Sequence, residues 1–172
     1  MKKIILCFLV SASLIACTNQ ESKTEAKTET TGSVTTTGPD VDLIKKSITA
    51  FADGDWDTYA STYADTAKSY HNVWPSNTDT TVGVKIPVLI EGFKKQRELM
   101  DGKLTMGGTI FEVVTMPDGS KYGHVWVDFT WKNKKGEVGK SVLFDSYGIN
   151  KDGKISYEWP IYDTKDVVRL GN

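Results

Sequence analysis

Lys121-Tyr122-Gly123-His124-Val125-Trp126-Val127-Asp128-Phe129-Thr130-Trp131-Lys132 alternates with a period of two and runs into Asn133-Lys134-Lys135-Gly136. This is the pattern of a half-buried strand ending in a hairpin turn. Val125, Val127, Phe129 and Trp131 share one face, and His124, Trp126, Asp128 and Thr130 share the other. The first set is the core side. The same grammar extends in both directions: Thr109 to Met116 lies before Pro117-Asp118-Gly119, Glu137 to Ile149 follows, and Lys154 to Tyr162 comes after Asn150-Lys151-Asp152-Gly153. The intervening segments are hairpin-type turns, so this half of the chain predicts an antiparallel meander.

Upstream the period changes. Val41, Ile44, Ile48 and Phe51 recur at helical spacing between Asp40, a fair N-cap, and Gly54. Asp55 caps a second predicted helix whose Trp56, Tyr59, Ala60 and Tyr63 form one face. An extended piece from Ser69 to Trp74 and a polar turn from Pro75 to Thr81 follow. A third helix is expected from Ile86 to Met100, with Pro87 in its first turn, where a missing N–H costs little. Ile86, Leu89, Ile90, Phe93 and Met100 make its inner face. Three helices before a meander give an α+β domain with a curved antiparallel sheet wrapped around the helices.

Parity across the last hairpin carries the most information. With Ile149 facing Ile155, regular pairing places Tyr147 with Tyr157 and Asp145 with Trp159. Asp145 is therefore expected to point inward among aromatic residues, where an acid needs a partner.

The 172 residues suit one domain with a tail. Lys and Arg total 21 against 22 Asp and Glu, with no basic block, so a phosphate-neutralising nucleic-acid surface is not expected. At the amino terminus Met1-Lys2-Lys3 and the apolar run Ile4 to Val10 have the form of a secretory signal. Leu14-Ile15-Ala16-Cys17 resembles the bacterial lipobox, which implies cleavage after residue 16 and lipidation of Cys17. The expected organisation is thus a signal peptide at 1–16, a lipidated Cys and tether at 17–40, and the folded domain at 41–172. Thr18 to Asp40 contains eight Thr and only two apolar side chains, Ala26 and Val34, too little to offset its ordering entropy. The implied location is the cell envelope, anchored in the membrane by lipid, at the outer membrane if the cell has one. Cys7 leaves with the signal, so the domain has no thiol nucleophile or disulfide.

Phe51-Ala52-Asp53-Gly54-Asp55-Trp56-Asp57, then Tyr63-Ala64-Asp65, and later Ile149 with Asp152-Gly153-Lys154-Ile155 resemble the SnoaL-like superfamily, also called nuclear-transport-factor-2-like. The resemblance spans 41 to about 166 and implies a cone-shaped, cystatin-like fold. Ketosteroid isomerases give the nearest motif match. By that overlay His71 stands where the family has its general base, and Asp145 where it has a protonated oxyanion-hole acid. The family's oxyanion Tyr falls at Ser47. Where the polyketide-cyclase branch ends in His-Trp-Asp, this chain reads Glu158-Trp159-Pro160 and lacks that acid.

His71 and Asp145 are the candidate catalytic residues, against the bland alternatives of a rim histidine and a core acid paired with a Tyr or Trp. Trp56, Tyr59, Tyr63, Phe93, Val127, Phe129, Trp131, Tyr147 and Trp159 are candidate walls of a ligand cavity, or simply core. His124 and Asp128 lie on the outer face and fit a surface or dimer contact better than a metal. No cofactor or metal is expected. Three functions remain open: a lipid-tethered domain binding a small, mainly apolar ligand; an isomerase- or cyclase-type enzyme using an acid–base pair; and an interaction module, a homodimer included, meeting its partner through Trp126. The first is the reading favoured by the sequence, because an incomplete oxyanion site argues against efficient chemistry and an inward acid against a merely packed cone.

Overall fold

Gly38 and Pro39 open the first long helix of the computed structural model, which describes residues 31–70 and 83–170. Before it a short strand, β1 (Ser33–Thr35), pairs with the far end of the fourth strand. Helix α1 (Pro39–Asp53) buries Val41, Ile44 and Ile48. Asp40 lies in the first turn rather than at the cap, which is Gly38, and its carboxylate meets Lys121 Nζ at 2.6 Å. Gly54 closes the helix at φ 74°, a left-handed conformation that glycine adopts without strain.

Asp55 caps α2 (Trp56–Ser61) by accepting from the Thr58 amide at 3.1 Å. This helix is shorter than its spacing predicts. The Ser61 and Thr62 hydroxyls bond back to the Thr58 and Tyr59 carbonyls, each at 2.7 Å, the local competition that stops helices. Tyr63 therefore begins a strand, β2 (Tyr63–Ser69), instead of extending a helical face, and Ala60 is exposed. Strand β3 (Val84–Lys85) leads into α3 (Ile86–Arg97), with Pro87 in its first turn and Ile86 and Ile90 buried. Arg97 ends it by donating to the Ala52 and Phe51 carbonyls at the end of α1.

The meander follows as β4 (Thr105–Thr115), β5 (Lys121–Lys132), β6 (Val138–Ile149) and β7 (Ile155–Tyr162), after which comes a helix not anticipated, α4 (Lys165–Leu170). The sheet order is β1-β4-β5-β6-β7-β2-β3. It is mixed, not purely antiparallel, because β2 adds to the free edge of β7 in parallel. Val125, Val127, Phe129 and Trp131 are at most 5 % exposed and pack toward the helices, so the face assignment of β5 holds. The fold is α+β, three helices against one curved sheet face.

Registration of the last hairpin departs from regular pairing. Ile149 does face Ile155, but a bulge shifts the rest, pairing Gly148 with Tyr157, Tyr147 with Glu158, Ser146 with Trp159 and Asp145 with Pro160. One extra residue on β7 reverses which side chains point in. Glu158 enters the core at 2 % exposure, while Trp159 turns out to pack against Tyr70 and Tyr157.

Candidate functional site: an acid pair in an aromatic cavity

Asp145, in the middle of β6, is 3 % exposed, as parity predicts. Glu158, on β7, is its neighbour on the same face. The two are diagonal positions, with Cα atoms on the order of 7 Å apart by sheet geometry. Glu158 is well supplied with donors. The Tyr59 hydroxyl donates to its Oε2 at 3.2 Å, the Tyr63 hydroxyl donates to the same oxygen, and the two phenol oxygens are 3.0 Å apart. At Asp145 the Tyr147 hydroxyl and the Ser146 and Trp159 backbone amides favour the carboxylate, while Oδ1 is buried without a hydrogen bond of normal geometry.

Burial, followed by the charge of Glu158, pushes the Asp145 carboxyl well above the usual carboxylate range, and the Tyr147 bond offsets only part of this. Burial also raises Glu158, opposed by hydroxyl bonds from Tyr63, Ser69 and Tyr59. Burial raises both groups and raises Asp145 further, so a single proton on the pair belongs on Asp145, with the negative charge on Glu158 where the hydroxyls meet it. Burial, with the charge of Glu158 or Asp145 next, holds Tyr59, Tyr63 and Tyr147 well above the normal phenol value, so all three remain neutral hydroxyls.

Both acids line a cavity of about 90 Å³. Tyr59, Phe93, Phe129, Trp131 and Tyr147 of the expected wall residues also line it. Phe51, Tyr162, Met100 and Leu143 complete much of the apolar surface. A second space of about 240 Å³ adjoins it, sharing Gln96, Met100, Trp131 and Val167 and adding Lys95 and Asn133.

The remaining expected residues fall elsewhere. Trp56 lies behind the wall, stacked on Phe93 at 6.1 Å with the Arg97 guanidinium 5.8 Å from its ring. Burial lowers that guanidinium to about 10, still charged at neutral pH. Val127 is buried core, and Tyr63 reaches the site through Glu158 rather than by lining the cavity. Trp159 is removed from the cavity by the bulge. His71 and Cys17 lie outside the described residues. Ser47, at the family's oxyanion-Tyr position, is fully buried and its Oγ has no partner.

Glu158 was missed because regular parity points it outward. One signal was present: a Cβ on Gly148 would stand 2.2 Å from the Tyr157 ring, and a glycine inside a strand marks a bulge or a close approach. Among the described residues no group of three or more His, Cys, Asp or Glu is placed to hold a metal ion.

No protein-family model matches the sequence, and no curated protein matches it. Solved structures do match its fold. A nuclear-transport-factor-2-like protein from Burkholderia xenovorans superposes with a TM-score of 0.52 at 15% identity, covering 78% of this chain and 96% of that one. A ketosteroid isomerase-like protein from Erwinia carotovora atroseptica gives 0.51 at 17% identity, over 69% and 89%. A protein of ketosteroid isomerase-like fold from Catenulispora acidiphila, in complex with trimethylamine, gives 0.53 at 7% identity, over 75% and 91%. The fold is the one seen in these nuclear-transport-factor-2-like and ketosteroid isomerase-like proteins. At these identities the likeness speaks for the fold alone.

Proposed function

We propose, taking this SnoaL-like fold as the premise, that the domain binds a small, mainly apolar molecule whose one polar group meets the Asp145–Glu158 pair. The observation that carries the reading is the Asp145 Oδ1, buried without a hydrogen bond of normal geometry on the wall of an aromatic cavity. Such an atom costs about 1–3 kcal/mol when nothing bonds it, and a ligand group recovers that energy. Apolar walls with a few convergent polar groups are the usual form of a small-molecule site. The trimethylamine complex among the fold neighbours supports a small ligand. Native mass spectrometry of the protein purified from its own envelope tests the reading. A small-molecule adduct is expected, lost in Leu143→Trp, which fills the cavity. A bare chain that also ignores a library of small apolar probes would refute it.

An isomerase- or cyclase-type activity is the second reading. It is favoured by two buried carboxyls on one cavity, both raised by burial and Asp145 further, an arrangement that suits Asp145 to the acid role. Asp145 is then the acid, and the base is Glu158 or His71.

The proposal also places the domain outside the cytoplasm, tethered by lipid on Cys17, for which the lipobox-like run is the support. A homodimer is proposed through the outer sheet face. There Ile110, Trp126, Phe144 and Ile161 are successive cross-strand partners, forming an apolar row across four strands. Ile110 and Ile161 are about half exposed. A second copy presents the same row to it, as a two-fold interface requires.

A further inference from the structure

The donor and acceptor inventory of the cavity is lopsided. Of the hydroxyls at or just behind its wall, Tyr59 and Tyr63 are committed to Glu158, Tyr147 to Asp145 and Ser141 to the Asp163 carbonyl; the Gln96 amide and the Tyr162 hydroxyl also line it. No Lys, Arg or His lines it among the described residues. Arg97 is engaged with the α1 carbonyls, and Lys95 lines only the adjoining space. The charged and aromatic part of its lining is two carboxyls and the rings of seven aromatic residues, beside the neutral Gln96 and Ser141. Ring faces carry negative potential and attract cations. An anion is repelled here; a neutral acceptor is offered the Gln96 amide and the proton of Asp145, while a cation meets both carboxyls and the ring faces together.

We infer that the polar group of the ligand is a positive charge, an alkylated ammonium seated between the aromatic walls with the Asp145 and Glu158 carboxylates as its counter-ions. This rests on the ligand-binding reading above and names the chemical class. The size agrees: about 90 Å³, at roughly 10–15 Å³ per water-sized group, holds the handful of heavy atoms in such a head. The cation takes the place of the proton that Asp145 holds in the empty protein. Its affinity therefore rises with pH, up to about tenfold per unit until the pair is fully ionised. The titratable groups facing the pair are Tyr59 from α2, Tyr63 from β2 and Tyr147 from β6, all neutral over that range.

The test is calorimetric and NMR titration of the protein with tetramethylammonium chloride, matched in ionic strength with sodium chloride, beside neutral tert-butanol of similar shape. Tetramethylammonium keeps its charge at every pH, so any pH dependence belongs to the protein. Expected are saturable binding that strengthens from pH 5 to 8, release of up to one proton, and at least about tenfold loss in Asp145→Asn or Glu158→Gln. Phe93→Leu, which keeps an apolar wall but loses a ring, weakens the cation more than the alcohol. Should tert-butanol bind and tetramethylammonium fail, the charge inference falls while a small apolar ligand stands. If neither shifts a cavity resonance, both readings fall.

Discussion

Replacing Asp145 with Asn should make the domain more stable at neutral pH. The side chain is 3 % exposed, and its folded-state proton affinity is raised first by burial and then by Glu158. In the unfolded chain an Asp titrates near 3.9. An acid with a raised folded value contributes fully below that pH. Above it the unfolded state loses its proton first, and stability falls by up to about 1.4 kcal/mol per pH unit until the folded carboxyl ionises too. For a domain of this size that is roughly 4–7 °C of melting midpoint per unit. Asn has the same shape and no proton to lose, so the variant should lose less stability with rising pH than the wild type, keeping only the slope that buried Glu158 contributes. Asp55 and Asp118 are held below the usual carboxylate range by turn hydrogen bonds, so their contribution is lost only as pH falls below about 4. Groups that do not touch the pair are common to both proteins and cancel in the difference, while Glu158, beside Asp145, ionises more easily once that carboxyl is gone. The assay is urea unfolding of both proteins at half-unit steps from pH 4 to 8. Parallel curves between pH 5 and 7 would refute the reasoning.

Gly123→Ala should cost about 1–3 kcal/mol by urea unfolding, because the new Cβ would stand 2.0 Å from Ile44 Cδ1 in a fully buried contact; an unchanged midpoint would mean that α1 does not close on β5 as described. Trp126→Glu should leave the fold intact by circular dichroism and halve the mass seen by light scattering, whereas a wild type already monomeric at high concentration rules the dimer out. Cys17→Ala should move the protein out of the membrane fraction, and retention there defeats the lipid tether.

The alternation of β5 and the three hairpin turns made most of the sheet legible in the sequence, down to the bounds of β5 and the inward side of Asp145. Such patterns are local, and local patterns are what a sequence displays. The parallel β2–β7 edge was not legible, because it joins segments far apart in the chain, and the hydroxyl back-bonds of Ser61 and Thr62 that end α2 early are a choice between two near-equal local structures. The site divides along the same line. Tyr59, Phe93, Phe129, Trp131, Tyr147 and Asp145 were reached by periodicity and do line one cavity. Glu158 was hidden by the single extra residue of the β7 bulge. Ile155, Tyr157 and Trp159 read as one unbroken alternating face, so the aromatic signal there outweighed the one glycine that pointed the other way.

The proton on Asp145, held there by burial and by Glu158 on the same cavity wall, is the feature on which the proposed ligand binding rests. Carbon-detected NMR of the side-chain carboxyls, followed from pH 3 to 9 in wild type and Glu158→Gln, observes it directly. The account predicts that the Asp145 carboxyl keeps the chemical shift of the acid through pH 7, and that it ionises at lower pH once Glu158 is neutralised. An Asp145 carboxyl that titrates near 4 in both proteins would contradict it.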